Sequence, residues 1–186
     1  LSHSAFLKWL FDINGSHNFG EEPLKKLLRM LVNTDNDNIL SEDILNILLI
    51  GDYKIQNFHI EAEKSVKIDK NKGRIDIFAE FEIFKKNDGS SINSEEKKLN
   101  KKIVLIIENK VEASESNNQT IIYDDWAKKE YEGHTPPPIL IFLNPNEEDC
   151  SSNNFITISY QDILEYVIEP LLSMEMNVNT KIILED

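Results

Sequence analysis

The chain has 186 residues, of which 40% are hydrophobic and 28% charged, and its formal net charge is −13 at pH 7. This length predicts one domain with a sizeable core. No apolar run approaches the roughly 18–20 residues of a membrane span, and no signal-peptide pattern is present, so we expect a cytoplasmic protein without a membrane partner. The single cysteine excludes an internal disulfide. The acidity argues against a surface that holds a nucleic-acid backbone unaided.

Residues 1–51 are predicted to be helical. Ser4 is the expected N-cap of a first helix that ends near residue 11. Pro23 suits the first turn of a second helix, which has leucines at helical spacing and ends near residue 32. Ser41 and Gly51 are expected to bound a third helix.

The remainder of the chain predicts an α/β fold with a mixed central sheet flanked by helices. A hairpin is expected from residues 58–68 and 74–84, followed by a polar insertion over 87–102. Further strands are predicted at 103–111, 139–143 and 155–158, with helices at 119–131 and 160–172 and an apolar stub at 182–184. We predict a single domain over 1–186 that is shortened at its C-terminus, with the insertion mobile.

The run of five apolar residues at 103–107 predicts a buried central strand, and it ends on Glu108, Asn109 and Lys110. Because side chains alternate along a strand, Glu108 and Lys110 share one face. Asp76 holds a matching position in the preceding hairpin. If the two strands pair, two carboxylates with a lysine beside them suit Mg²⁺ or Mn²⁺, and such an ion polarises phosphoryl oxygens. The alternative is that both acids lie at the surface, with Lys110 as a salt-bridge partner.

Several sequence features together resemble the PD-(D/E)XK nuclease superfamily. They are the Gly-Arg-Ile-Asp segment ending at Asp76, the Ile-Ile-Glu-Asn-Lys strand ending at Lys110, and the order of elements. The opening HSAFLKWL, with Gly15-Ser16-His17 and Gly20, is similar to the HSxFLxWLLxPxGxHxxG beginning of one branch. Ile75 stands where the superfamily usually has proline. The resemblance implies a restriction-endonuclease-like αβββαβ core and a Mg²⁺-dependent endonuclease acting on DNA, with defence against foreign DNA as its setting.

Gln119 and Tyr123 resemble the QxxxY element of RecB-like nucleases, which implies that they contact or position the nucleic-acid strand. Four residues apart, they share one helix face. The alternative is a polar helix start followed by a half-buried tyrosine. Glu63 is the candidate further catalytic acid, and Glu21 and Glu22 are its rivals, although their place at a helix start also suits the helix dipole.

His3 and His17 are left outside the catalytic set, because a lone histidine in a loop is more often a structural hydrogen-bonding group. Three functions stay open. The first is a metal-dependent nuclease, the second a non-catalytic module of the same fold that binds nucleic acid or a protein, and the third an unrelated α/β binding module. Since the chain is acidic, a protein partner or an additional domain is expected to supply affinity for nucleic acid.

Overall fold

A five-stranded mixed sheet forms the centre of the protein. The structure, a computed structural model, describes residues 2–35, 38–50, 53–68, 71–85, 101–111, 118–146 and 148–185. The strands are β1 (Tyr53–Ile68), β2 (Asn71–Lys85), β3 (Lys101–Asn109), β4 (Ile139–Asn144) and β5 (Phe155–Ser159). They lie in the order β1-β2-β3-β4-β5, with β1 to β3 antiparallel and β3 to β5 parallel. The predicted mixed α/β architecture is confirmed.

Helices cover both faces of this sheet. They are α1 (His3–Phe11), α2 (Glu22–Thr34), α3 (Glu42–Ile50), α4 (Gln119–Glu130), α5 (Tyr160–Asp162), a π-helical segment (Ile163–Ile168), α6 (Glu169–Leu172) and α7 (Val178–Glu185). Alternate residues of β3 divide between two cores. Leu105 packs in the larger one, which contains α1 to α3, whereas Ile106 packs with Tyr123 and Ala127 of α4. Within the ranges given above, no helix has the length and apolar character needed to cross a membrane.

Several element boundaries differ from those predicted. The N-cap of α1 is Ser2 rather than Ser4, because the extended backbone at Ser2 lets its hydroxyl accept a hydrogen bond from the Ala5 N–H at 3.3 Å. Strand β1 begins at Tyr53, five residues earlier than expected. The left-handed backbone of Asn57 (φ 49°) interrupts the alternation of buried and exposed residues there. For this reason the hydrophobic pattern did not predict the first five residues of the strand.

Strand β3 begins at Lys101, so the last two residues of the predicted insertion belong to the sheet. Lys101 lies 3.1 Å from the Asp43 carboxylate and Lys102 lies 2.8 Å from that of Glu80. Both lysines pair in register with β2, opposite Ile83 and Glu82, so these two residues belong to the strand and not to the predicted polar insertion. The rest of the predicted insertion, residues 87–100, lies outside the described residues, as does Gly51.

The C-terminal part of the chain follows the prediction with two differences. Ser159 and Asp162 form a capping box at the start of the predicted helix, in which the Ser159 N–H donates to Asp162 Oδ2 at 2.7 Å and the Asp162 N–H donates to Ser159 Oγ at 3.1 Å. The helix then widens into π-helical geometry before α6. The apolar stub at 182–184 lies within α7.

Residues of the N-terminal HSAFLKWL and Gly15-Ser16-His17 motifs enclose a buried histidine. The imidazole of His17 has no exposed surface, lies between the rings of Trp9 and Phe19, and accepts the Phe19 N–H at Nδ1 over 3.0 Å. Trp9 in turn donates to the hydroxyl of Ser16 at 3.0 Å. A Cβ on Gly15 would lie 2.7 Å from His17 Nε2, so only glycine leaves room for the ring. His17 is therefore part of the core.

We expect His17 to make stability fall as the solution is acidified. Burial lowers the pKa of His17 below its ordinary value of 6.5, against smaller opposing effects of Asp12 and Trp9. The unfolded chain therefore binds this proton more readily than the folded chain, and unfolding becomes easier below about pH 6.5. Urea unfolding of the wild type and of His17→Gln between neutral and mildly acidic pH measures this. The variant should be less stable than the wild type, but its free energy of unfolding should change less with pH. Equal pH dependence in the two proteins would contradict the lowered pKa of His17.

Candidate active site

Asp76 and Glu108 lie on neighbouring strands near the C-terminal end of β3. The last recorded partners of these strands are Ile77 and Ile107, so the next pair in register is Asp76 and Glu108. Residues directly opposite in an antiparallel pair have Cβ atoms about 4.5–5.5 Å apart. Asp76 Oδ2 also accepts the backbone N–H of Asn109 at 2.8 Å, which ties the carboxylate to the end of β3. The expected direct pairing of the two strands is confirmed.

The environment of Asp76 is partly buried and responds to four neighbouring groups. Burial raises the pKa of Asp76, and the charge of Glu63 raises it further. The Asn109 N–H and the charges of Lys110 and Arg74 act in the opposite direction. Burial thus disfavours the carboxylate charge, and a cation at this point would stabilise it.

Glu108 and Lys110 form an almost buried ion pair. Glu108 is 1% exposed, and its Oε1 lies 2.7 Å from Nζ of Lys110, whose side chain is 17% exposed. The Lys110 backbone N–H donates to the Leu143 carbonyl at 2.8 Å, so the chain stays beside β4 past the end of β3. The ammonium group is therefore held next to the carboxylate rather than extended into solvent, which differs from a surface salt bridge.

Gln119 and Tyr123 continue this pair as a chain of hydrogen bonds. Lys110 Nζ donates to Gln119 Oε1 at 2.6 Å, and Gln119 Nε2 donates to the Tyr123 hydroxyl at 2.9 Å. That hydroxyl donates to the Arg74 carbonyl at 2.7 Å. Tyr123 is only 4% exposed. Gln119 and Tyr123 thus connect the lysine that follows β3 to the backbone of the strand that carries Asp76.

A buried aspartate fixes the helix that carries these residues. Asp124 Oδ2 accepts hydrogen bonds from Ser152 Oγ at 3.0 Å, Asn154 Nδ2 at 2.7 Å and Lys128 Nζ at 2.9 Å. Since Ser152 and Asn154 precede β5, α4 is bound to the segment that enters the sheet there. This contact holds Gln119 at the level of Lys110.

The opposite side of the β3 terminus contains residues that sequence reasoning missed. The Tyr160 hydroxyl donates to Asn109 Oδ1, and the ring of His3 meets the Tyr160 ring edge-on with centroids 6.2 Å apart. Burial raises the pKa of Tyr160, and the charge of Asp76 raises it further. Tyr160 directly follows β5, and the carboxyl ends of parallel strands commonly carry ligand sites in α/β sheets. The sequence signal that could have identified Tyr160 is its position directly after the helix N-cap Ser159, at the end of a predicted strand.

The three candidate further acids lie in different surroundings. Glu63 lies between the partners of Ile75 and Ile77 and so opposite Asp76, and its carboxylate is 3.7 Å from the Arg74 guanidinium. Glu21 accepts the Ile55 N–H at 3.1 Å and pairs with Lys25 at 2.7 Å, which joins α2 to β1. Glu22 is exposed in the first turn of α2.

The hairpin twists sharply at Glu63, whose backbone is left-handed with φ 55°. Regular strand alternation would place Ile75 on the same face as Ile77 and Ala79. It packs instead with Phe78 against α4, whereas the other two lie in the larger core. The alternation therefore changes at Asp76, because the twist opposite it rotates the end of the hairpin.

The donors at this place fit a hard divalent cation. Asp76 and Glu108 would supply carboxylate oxygens from neighbouring strands, and Mg²⁺ typically takes one or two carboxylates together with waters and substrate phosphates. Among the residues that the structure describes, no group of three or more His, Cys, Asp or Glu side chains is arranged to hold a metal. With two carboxylates from the protein, an ion here would complete its coordination with waters and substrate phosphates.

A mixed sheet with two acids and a lysine at the end of adjoining strands defines an α/β protein of the restriction-endonuclease-like class. The chain belongs to the PD-(D/E)XK nuclease superfamily, whose family model matches residues 1–184. Members are generally nucleases, and they typically use divalent metal ions. Comparison with curated proteins and with solved structures gave no match.

Proposed function

We propose that the protein is a metal-dependent nuclease that hydrolyses phosphodiester bonds in DNA, with Asp76 and Glu108 holding Mg²⁺ or Mn²⁺. The observation that carries this proposal is the neighbouring position of the two acids, with the Lys110 ammonium 2.7 Å from Glu108. A divalent ion bound there would supply Lewis-acid polarisation of a phosphoryl oxygen and a more acidic water.

The residues of the chain have separate roles in this proposal. Lys110 stabilises the negative charge that develops on the phosphoryl group, since a fixed donor is most effective in a site with little water. Glu63 is the proposed further acid, because its charge acts on Asp76 and its side chain is 51% exposed, free to turn from Arg74 toward substrate. Asn109 holds Asp76 through its backbone N–H.

The proposal is tested by cleavage assays on labelled single-stranded and duplex DNA and RNA of one sequence. We expect cleavage of DNA with Mg²⁺ or Mn²⁺, and none with EDTA. The net charge of −13 favours the alternative, a non-catalytic module of the same fold that binds nucleic acid or a protein. Binding without metal-dependent cleavage of any of the four substrates would favour that alternative.

We further propose that Gln119 and Tyr123 act by positioning Lys110. Tyr123→Phe keeps the ring but removes the hydroxyl between Gln119 and the Arg74 carbonyl, so stability should fall by about 1–2 kcal/mol. The single-turnover rate should fall at least tenfold while the Kd for uncleaved DNA stays near the wild-type value, because the lysine is less fixed. A weaker Kd with an unchanged rate would instead indicate direct contact with the strand. Tyr166→Phe, at an exposed tyrosine, is the matched control.

A further inference from the structure

The β1-β2 hairpin extends beyond its neighbour β3 at the proposed site. Strand β2 pairs with β3 only between Ile77 and Ile83, whereas its pairing with β1 continues to Asn71. The end of the hairpin, residues 64–68 with 71–75, therefore extends past the part of β2 that pairs with β3. Asp76 lies at its base, so a nucleic-acid strand bound along the hairpin end would run toward Asp76.

Two lysines face each other near the end of this projection. Lys67 and Lys72 are direct partners in the hairpin register, and both are exposed. Like charges directly opposite each other destabilise a strand pair. In the part of the chain that the structure describes, no carboxylate forms an ion pair with either of them, whereas Lys64, in the same strand, pairs with Glu61 at 3.1 Å. Among the described residues, these two cations therefore lie opposite each other without a carboxylate partner.

The hairpin end is anchored on the helix of the proposed site. A Cβ on Gly73 would lie 3.2 Å from Tyr123 Cε1 and 2.5 Å from Ile68 Cδ1, so the backbone passes close over the tyrosine ring. The Tyr123 hydroxyl holds the next residue, Arg74, by its carbonyl at 2.7 Å. These contacts fix the position of the lysines relative to the carboxylates.

The cations lie on one face and at a defined distance from Asp76. By strand alternation, Lys72 and Arg74 share the face opposite Gly73, and Lys67 lies across from Lys72. At about 3.3 Å per residue, Lys72 is roughly 13 Å along the strand from Asp76. That length corresponds to about four nucleotide steps of 3.4 Å along a DNA axis. The charge of Arg74 lowers the pKa of Asp76, so this cationic face is close enough to influence the proposed site.

We propose that Lys67 and Lys72, together with Arg74, form a phosphate-binding surface that holds the nucleic-acid backbone about four nucleotides from the bond that is cleaved. This inference rests on the proposed function for the location of that bond. Ammonium and guanidinium groups contact phosphate oxygens without reading bases, so the surface supplies affinity independent of sequence. It also gives an acidic protein a local basic surface, in place of the separate domain or partner that the composition suggested.

The test is a salt titration of DNA binding by the full chain in EDTA, where metal-dependent cleavage is absent. Fluorescence anisotropy with a labelled duplex compares the wild type, the double variant Lys67→Gln with Lys72→Gln, and the control Lys54→Gln. Lys54 is exposed on β1 and pairs in register with Phe84 at the other end of the hairpin. We expect the double variant to bind about tenfold more weakly or worse, with a salt slope smaller by about 1.8, since each phosphate contact contributes about 0.9. The control should match the wild type.

The outcomes separate this inference from the proposed function. The thermal midpoint of the double variant should equal or exceed that of the wild type, because repulsion is removed, so weaker binding would not come from unfolding. Wild-type affinity and slope in the double variant would overturn the hairpin surface while cleavage by the wild type still supported the nuclease. Weaker binding by the double variant, together with no cleavage by the wild type, would support the phosphate-binding surface and exclude the proposed nuclease activity. A wild type that binds neither DNA nor RNA would overturn both.

Discussion

Lys110→Met should lower single-turnover cleavage by about 10²–10³-fold, the usual effect of losing one donor that stabilises developing charge. Metal binding should persist or become tighter, because the ammonium that lies 2.7 Å from Glu108 no longer competes for the carboxylate. Removing one member of a buried ion pair costs about 3–5 kcal/mol, and the partial exposure of Lys110 favours the lower end. Mn²⁺ should restore most of this stability, since ligand binding stabilises the folded state.

Mn²⁺ calorimetry beside single-turnover cleavage and thermal unfolding measures these three effects. Lys128→Met is the matched control, because Lys128 also pairs with a buried carboxylate, that of Asp124, but is 61% exposed and lies outside the site. It should cost under about 1 kcal/mol and leave cleavage intact. Full cleavage by Lys110→Met would exclude the role proposed for this lysine.

Asp76→Asn and Glu108→Gln should both abolish measurable cleavage but change stability in opposite directions. Burial disfavours the charge of Asp76, and an asparagine can still accept the Asn109 N–H, so the midpoint without metal should stay equal or rise. Glu108→Gln replaces the charge beside an almost buried ammonium by a neutral amide. We expect this change to cost about 1–3 kcal/mol.

Thermal unfolding in EDTA, with Mn²⁺-dependent cleavage of the same preparations, checks this contrast. Glu82→Gln on β2 is a suitable control, because Glu82 bonds to Asn57 near the other end of the hairpin. Unfolding of Asp76→Asn would mean that the carboxylate is structural. Cleavage by either site variant at the wild-type rate would remove that residue from the metal-binding pair.

The central part of the site could be predicted because it depends on local pattern. The apolar run before Glu108 requires a buried strand, and alternation then places Glu108 and Lys110 on one face. The contact between Tyr160 and Asn109 could not be predicted, because it joins residues 51 positions apart whose meeting depends on how β5 enters the sheet. The twist at Glu63 was equally hidden, since glutamate gives no signal for a left-handed backbone.

The strand order has a consequence for how the protein folds. Within the part of the chain that the structure describes, every strand of the sheet is hydrogen-bonded only to strands that adjoin it in sequence. The sheet can therefore grow one strand at a time, but pairing β3 with β4 in parallel requires closing the crossover that contains α4. The Lys110–Gln119–Tyr123–Arg74 chain links β2, β3 and α4, which form one continuous stretch, so these groups can become ordered together. Tyr160 would reach Asn109 only later, when β5 has joined the sheet, so this contact should form last.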